Sequence, residues 1–229
     1  MRQHWRDLLF AHWQVDPAVI QQHLPRGLRV DTWQGKAFLG VVPFRMAEVR
    51  VGPFPPVPGF SQLLELNLRT YVVDETGVRG VWFHTLDANH ATAVAIARIC
   101  FHLPYHRATQ QANRGPDGSL TFRSRRCAGP ERGESVLRWT PGRDLPAPTT
   151  DELTHFLVER YVLHTYSGQR LLRGRIAHAP YRLRAAQASV EAAPLFAAQG
   201  FTPPTTPPDH VVCCDGTDVA IYGLAPVKI

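Results

Sequence analysis

Four polar side chains alternate with mainly apolar ones in the stretch ELNLRTY, residues 65–71. Read with the two-residue period of a β-strand, one face carries Glu65, Asn67, Arg69 and Tyr71. A carboxylate can act as a general base, and an arginine fork can hold a ligand carboxylate by two hydrogen bonds. We therefore predict Glu65 as a catalytic base and the other three as ligand-binding residues. The alternatives are a solvent-exposed strand face, or a buried network in which these groups only satisfy one another.

Further candidates lie in the segment HLPYH, residues 102–106, and in a preceding apolar strand. Tyr105 could donate a hydrogen bond to a developing oxyanion, and His106 titrates near neutrality and could act as an acid or base. On a strand these neighbours point to opposite faces, so only one of them is expected to enter a pocket. Arg45 interrupts an apolar run and is a second candidate for binding a carboxylate.

Other chemistries find weaker support in the sequence. His102 and His106 have the spacing H-x-x-x-H, but a proline between them argues against a shared helical face. His84 and His90, with Asp87 nearby, form a less favoured alternative for a metal site. No serine lies in a G-x-S-x-G context, and no phosphate-binding glycine loop is evident. We predict neither a metal nor a cofactor.

Composition limits the class of protein. Of the 229 residues, 44% are hydrophobic and 19% charged, which favours one compact globular domain over residues 1–229. The net charge of +6 permits nucleic-acid binding, but the arginines are scattered, so a nucleic-acid-binding module is the less favoured alternative. Four cysteines without C-x-x-C spacing, and an N-terminal apolar run too short for a signal or membrane segment, favour a soluble cytoplasmic protein. A homo-oligomer is left open.

Turn and periodicity signals predict many short strands and few helices. Asp16 and Pro17 open a helix towards His23, and a hairpin turn at 34–36 joins strands 28–33 and 37–51. A Pro/Gly-rich loop follows at 52–60. Asn89 is expected to cap a helix through 102 whose residues 93, 96, 100 and 103 form one buried stripe. Further strands are predicted at 78–86, 104–111, 119–126, 135–139, 161–166, 170–178 and 181–190, helices from 150 or 151 towards 160 and at 194–199, and a terminal hairpin at 211–222.

These elements indicate an α+β, mainly antiparallel β fold, a barrel or sandwich decorated by helices. Residues 37–46 are apolar at nearly every position, so that strand should be covered on both faces. If the strand containing Glu65 lies beside it, its polar face lines a barrel interior and does not face solvent. We therefore predict that Glu65, Asn67 and Arg69 point into a cavity.

Five segments, read in order, carry a family resemblance: VDPAVIQQHLPRGLRVDTWQGKAFLGVVPFRM, ELNLRTYV, GVWFHTLDA, ARICFHLPYHRA and FLVERY. Together they resemble the YqjF-like family of unknown function (domain of unknown function 2071), a branch of the acetoacetate decarboxylase-like superfamily. The resemblance implies a cone-shaped antiparallel β-barrel with peripheral helices and an interior pocket. It also implies that Glu65 lies on a strand whose acidic counterpart in the decarboxylases faces that pocket.

The resemblance also shows what this chain lacks. The decarboxylases have a glycine-phenylalanine-proline-lysine-lysine run after the helix, and the first lysine forms the Schiff base while the second lowers its pKa. Tyr105 and His106 stand at those two positions here. Lys36, in a predicted turn, and Lys228, next to the last residue, are not placed to replace them. We therefore predict binding of a small organic acid or enolisable carbonyl compound without Schiff-base decarboxylation. Acid/base transformation of that compound is left open, and a non-catalytic binding barrel is the alternative.

Overall fold

Long strands dominate the part of the chain that the computed structural model describes, residues 1–50 and 63–227. The strands are β1 (Arg2–Val15), β2 (Leu28–Val30), β3 (Ala37–Arg50), β4 (Leu63–Asp74), β5 (Arg79–Ala88), β6 (Tyr105–Arg114), β7 (Leu120–Arg126), β8 (Glu134–Asp144), β9 (Val162–Ser167), β10 (Arg170–Ala177), β11 (Leu183–Glu191) and β12 (His210–Pro226). The helices are α1 (Pro17–Gln22), α2 (Ala91–Phe101), α3 (Leu153–Val158) and α4 (Ala193–Ala197). The predicted mainly β fold class is confirmed. The predicted loop at 52–60, the strand end at 51 and Lys228 lie outside the described residues.

One sheet contains all these strands, and its pairings return to their starting strand. In the order β1, β3, β4, β5, β9, β10 and β12, each strand pairs with the next, and β12 pairs with β1 to complete a ring. Strands β6, β7, β8 and β11 connect β5 to β12 by a second route. Most pairings are antiparallel, but β5 pairs in parallel with β6 and with β9, so the sheet is mixed.

Strands β3 and β4 separate two apolar cores. Phe38, Val42 and Phe44 on one face of β3 join a core inside the ring, whereas residues 37, 39 and 41 join a second core outside it. On β4, Leu64, Leu66 and Leu68 belong to this outer core, which also contains side chains of β7, β8 and α4. The prediction that the strand at 37–46 is covered on both faces is confirmed. The opposite face of β4 consequently points into the ring.

Three strand predictions are wrong or incomplete. No element was predicted at the N-terminus, where β1 is a central strand between β3 and β12. The turn at 34–36 closes through a bridge between Trp33 and Lys36, but β2 pairs with β4, not with β3. The terminal hairpin is wrong, because β12 is one strand that passes from β1 to β10 as its partner. Gly216 in its middle permits close strand contact, since a Cβ there would lie 2.7 Å from the Trp5 carbonyl oxygen.

The predicted helices are present with small differences at their ends. Asp16 caps α1, and its Oδ1 accepts a hydrogen bond from the Ala18 amide at 2.8 Å. The N-cap of α2 is His90 in place of the predicted Asn89, and that of α3 is residue 152. The single buried stripe predicted for α2 is wrong, because position 100 is exposed and Ile96 is 47% exposed. None of the helices in the described ranges is long and apolar enough to cross a membrane.

Candidate functional site

A cavity of about 140 Å³ lies inside the ring of strands. Its wall is mostly apolar and includes side chains from β1, β3, β5 and α2. Most of its polar side chains come from one face of β4 and from the first residue of β6. The structure thereby brings together four of the predicted residues, Glu65, Asn67, Arg69 and Tyr105. Their catalytic and binding roles stay predictions.

Glu65 is a buried carboxyl group held by two hydrogen-bond donors. Its Oε2 accepts from the Tyr105 hydroxyl at 2.5 Å, and its Oε1 accepts from the Asn67 amide at 3.2 Å. The pKa of Glu65 is raised to about 7: burial raises it most, the two hydrogen bonds lower it by less, and the charge of Asp87 makes a smaller contribution that raises it. Near neutral pH the group therefore exists in both its acid and its carboxylate forms.

Tyr105 remains a proton donor in this pair. Burial, and then the adjacent Glu65 carboxylate, raise the pKa of Tyr105 well above its ordinary value of 10.0. The hydroxyl thus keeps its proton throughout the range in which Glu65 titrates. The pair can accept or release one proton at the Glu65 carboxyl while Tyr105 continues to donate a hydrogen bond.

Arg69 places a positive charge in the same cavity. The residue is only 8% exposed, and its Nη2 donates to the Leu157 carbonyl oxygen at 3.0 Å and to the Tyr71 hydroxyl at 3.5 Å. Its guanidinium carbon lies 5.5 Å from the centre of the Phe10 ring. Within residues 1–50 and 63–227 no carboxylate forms an ion pair with Arg69, and its Nε has no hydrogen-bond partner. The described part of the cavity therefore contains a buried cation without a protein counter-ion.

A chain of buried hydrogen bonds ends at the Tyr71 hydroxyl and the Leu157 carbonyl oxygen, the two acceptors of the Arg69 guanidinium. Tyr71 donates to the Leu157 carbonyl oxygen at 2.7 Å, so its own oxygen accepts from Nε2 of His12, also at 2.7 Å. With that proton on Nε2, Nδ1 of His12 is the acceptor for Nδ1 of His210 at 3.1 Å. Nε2 of His210 then accepts from the Thr154 hydroxyl at 3.0 Å. The four hydrogen bonds therefore have one direction, from Thr154 inward.

Both histidines of this chain are neutral at neutral pH. Burial lowers the pKa of His210 to about 4. Burial, and then the charges of His210 and Arg69, lower the pKa of His12 well below its ordinary value of 6.5. Tyr71 was predicted to bind the ligand. It is fully buried and does not belong to the cavity wall. Its hydroxyl already forms hydrogen bonds with His12 and the Leu157 carbonyl oxygen.

Two other predicted residues do not reach the cavity. Phe44 and Met46 line it, so strand alternation turns Arg45 to the opposite face of β3, where its Nε lies 2.9 Å from the Asp7 carboxylate. Tyr105 enters the cavity, and its neighbour His106 consequently does not. Burial, and then the charges of two nearby arginines, lower the pKa of His106 to about 4.

The alternative metal site is not assembled. Asp87 accepts from the Arg126 Nε at 2.8 Å, so its carboxylate serves a buried ion pair. In the described ranges no group of three or more histidine, cysteine, aspartate and glutamate side chains is arranged to hold a metal ion.

The sequence reading did not identify His12. A signal was available in the segment LLFAHW, because the two-residue period places Leu8, Phe10 and His12 on one face. Leu8 and Phe10 line the cavity, and His12 lies further along that face of β1 behind Arg69.

Comparison with known sequences places the chain in a family. The model of the DUF2071 family, described as "Uncharacterized conserved protein", matches residues 2–218. The chain belongs to this family. The DUF2071 chain is 36% identical over 211 residues to the "Uncharacterized protein YqjF" of Bacillus subtilis (strain 168), an alignment that covers 91% of this chain and 85% of its relative. The family resemblance stated from the sequence is confirmed.

Solved structures with the same fold include acetoacetate decarboxylases and the enzyme MppR. The enduracididine biosynthesis enzyme MppR complexed with pyruvate has a TM-score of 0.71 and 14% identity, covering 99% of the DUF2071 chain and 90% of its own. Acetoacetate decarboxylase from Legionella pneumophila has a TM-score of 0.67 and 15% identity, covering 99% and 87%. At these identities the similarity shows a shared fold: the DUF2071 chain is acetoacetate decarboxylase-like in architecture.

Proposed function

We propose that the cavity binds a small organic acid, or an enolisable carbonyl compound that carries a carboxylate, with Arg69 as the carboxylate ligand. The buried guanidinium without a counter-ion in the described residues carries this proposal. A buried charge is costly when it is unpaired, and an anionic ligand would supply the opposite charge. The partnerless Nε of Arg69 is available for a charge-assisted hydrogen bond to that ligand. Pyruvate bound to MppR, a protein of the same fold, is consistent with this ligand class.

A second proposal, acid/base chemistry on the bound compound, is favoured by Glu65. Its pKa of about 7 is near the value at which a general base is most effective at neutral pH. The carboxylate would take a proton from the carbon beside a carbonyl, and the electron pair of that C–H bond would move to the carbonyl oxygen as an enolate. Once Glu65 is protonated, the Tyr105 hydroxyl, which keeps its own proton, would turn its single O–H from Glu65 to this oxygen and donate a hydrogen bond to it. No imine enters this route, since the resemblance to the decarboxylases matches Tyr105 and His106 to their two lysines, and no lysine is among the described residues that line the cavity.

Isothermal titration with pyruvate and acetoacetate tests the binding proposal. Arg69→Gln is expected to weaken binding by about tenfold to a hundredfold, the value of one or more hydrogen bonds to a charged group. Arg45→Gln is the matched control, because this arginine pairs with Asp7 outside the cavity wall. Methyl esters of the same acids lack the carboxylate charge, so their affinity for the unmodified protein should be no higher than their affinity for the Arg69→Gln variant. Equal losses in the two arginine variants, or no binding of either acid at millimolar concentration, would contradict the proposal.

Proton exchange tests the second proposal separately. In D₂O, the methyl protons of pyruvate should exchange faster in the presence of the protein, as followed by proton NMR, and Glu65→Gln should remove this acceleration. Retained pyruvate binding in Glu65→Gln would show that the loss concerns chemistry and not affinity. Binding without any acceleration in the unmodified protein would favour the non-catalytic alternative.

A further inference from the structure

The polar and apolar parts of the cavity wall are segregated. Apart from Met1, Gln3 and Tyr181, the polar lining comes from β4 and from Tyr105, and the other lining side chains are hydrocarbon or aromatic. The Met1 ammonium group donates to the Ile221 carbonyl oxygen at 2.8 Å. The Gln3 amide is already used within the protein, since its Oε1 accepts from the Trp5 indole at 2.7 Å. An acid of three or four carbon atoms would fill the polar side and leave the apolar wall without contacts.

Different elements lie at the two ends of the cavity. Arg69 marks one end, where it contacts the Leu157 carbonyl of α3. Helix α2 marks the other end: the Asn89 side chain just before it accepts from the Leu64 amide beside Glu65, and Arg98 within it donates to the Tyr105 carbonyl oxygen. Glu65 and Arg69 are four residues apart on one strand, about 13 Å between their Cα atoms. The interior therefore extends from the cation, past the Glu65–Tyr105 pair, to α2.

The apolar wall meets solvent at α2. Ile96 lines the cavity and is 47% exposed, whereas Arg69 at the opposite end is 8% exposed. A ligand held at Arg69 by its carboxylate would thus direct the remainder of its chain towards Ile96. That remainder would pass between apolar side chains, including Phe44 and Leu86.

We propose that the ligand is a medium-chain or aryl-substituted carboxylic acid, with the carboxylate at Arg69 and an apolar body of about six carbon atoms that reaches towards α2. This assignment rests on the proposed function and narrows its ligand class. The cavity volume of about 140 Å³ limits the enclosed part of the ligand to about the size of a benzene molecule, which an apolar cavity of roughly 150 Å³ accommodates, so the end of the body extends past Ile96. An oxo or hydroxy group partway along the chain would lie beside Glu65 and Tyr105, where proton exchange takes place.

The test is a titration series with butanoate, hexanoate, octanoate and decanoate at constant ionic strength. Affinity should rise about fourfold per methylene group up to hexanoate or octanoate, and then stop rising when the chain reaches solvent. Ile96→Asp should reduce the ratio of octanoate affinity to butanoate affinity several-fold; the ratio is the readout because the added charge acts on both carboxylates. Ile99→Asp is the matched control, because this neighbouring α2 residue is 73% exposed and does not line the cavity.

The outcomes separate the two proposals. Arg69→Gln should weaken all four acids by the same factor, because their carboxylates bind at one place. Equal affinity for all four acids in the unmodified protein, with the Arg69 dependence retained, would overturn the chain-length inference and leave the proposed function standing. A chain-length effect that Ile96→Asp and Ile99→Asp alter equally would also overturn it, since the chain would then not follow the cavity. No binding of any acid would overturn both.

Discussion

Replacing Glu65 by glutamine should raise the free energy of unfolding above pH 7, although most substitutions of buried residues lower it. The pKa of this carboxyl is raised from its ordinary value of 4.5 to about 7 in the folded protein. Between those values the folded state retains a proton that the unfolded chain has released, so stability falls by about 1.4 kcal/mol for each unit of rising pH. The loss is about 3 kcal/mol by pH 8 and close to zero at pH 4. Glutamine cannot ionise and therefore avoids it.

The neighbours of Glu65 can accommodate the amide. The glutamine oxygen can still accept from the Tyr105 hydroxyl. The Asn67 Oδ1 has no partner among the described residues, so rotation of this side-chain amide allows it to accept from the new NH₂ group. The substitution consequently leaves no additional polar group unsatisfied, and the electrostatic gain is not offset by a new desolvation cost.

Urea unfolding followed by tryptophan fluorescence at pH 5 and pH 8 measures this difference. The expected gain is about 1 kcal/mol at pH 5 and about 3 kcal/mol at pH 8. Glu131→Gln, at an exposed position, is the control and should show no such pH dependence. A gain of the same size at both pH values, or a loss at pH 8, would refute the assignment of a raised pKa to Glu65.

Three other outcomes follow from the site. Tyr71→Phe should lower the free energy of unfolding by about 1–3 kcal/mol, because it leaves the His12 Nε2–H without an acceptor. The substitution should also weaken carboxylate binding. Unchanged urea unfolding would contradict the expected loss of stability. In the Glu65→Gln background, the free energy of unfolding should fall as pH decreases from 6.5 towards 4.5, because only the unfolded chain takes up the protons of His12 and His210. The fall should be up to about 1.4 kcal/mol per pH unit for each histidine. A flat profile would show that these histidines are not held neutral. Incubation with acetoacetate and borohydride should give no reduced adduct at Lys36 or Lys228 by intact-mass and peptide measurement, and a stoichiometric lysine adduct would restore the Schiff-base route.

The two-residue period of β4 was sufficient to predict that Glu65, Asn67 and Arg69 line the cavity, because the opposite face of that strand is continuously apolar. It did not predict that Tyr71, on the same face, lies outside the cavity wall. The same reasoning failed for Arg45. A single charged residue in an apolar strand has the same pattern whether it enters a pocket or leaves the strand for an ion pair. Its partner Asp7 is distant in sequence and adopts φ 53° in an irregular part of β1, so no local pattern predicts this contact.

Helix α2 shows a second limit of sequence reasoning. A helical period predicts which residues face the protein, but not whether they meet packed side chains or an open cavity. Ile96 lines the cavity and is nevertheless half exposed, a combination that the helical period does not predict. Likewise, neither strand propensity nor turn signals indicate that β12 exchanges β1 for β10 along its length, since that depends on how the sheet closes.

The position of β4 between two cores has a consequence for how binding preference can change. Leu64, Leu66 and Leu68 lie back to back with Glu65, Asn67 and Arg69, one residue apart on the same backbone. A change of volume among these leucines shifts the strand, because packed interiors transmit displacement when they do not leave a void. For the proposed ligand, selectivity for length or shape would therefore be adjustable by substitutions on the outer-core face of β4, at residues that do not line the cavity, while the charged and titratable groups remain unaltered.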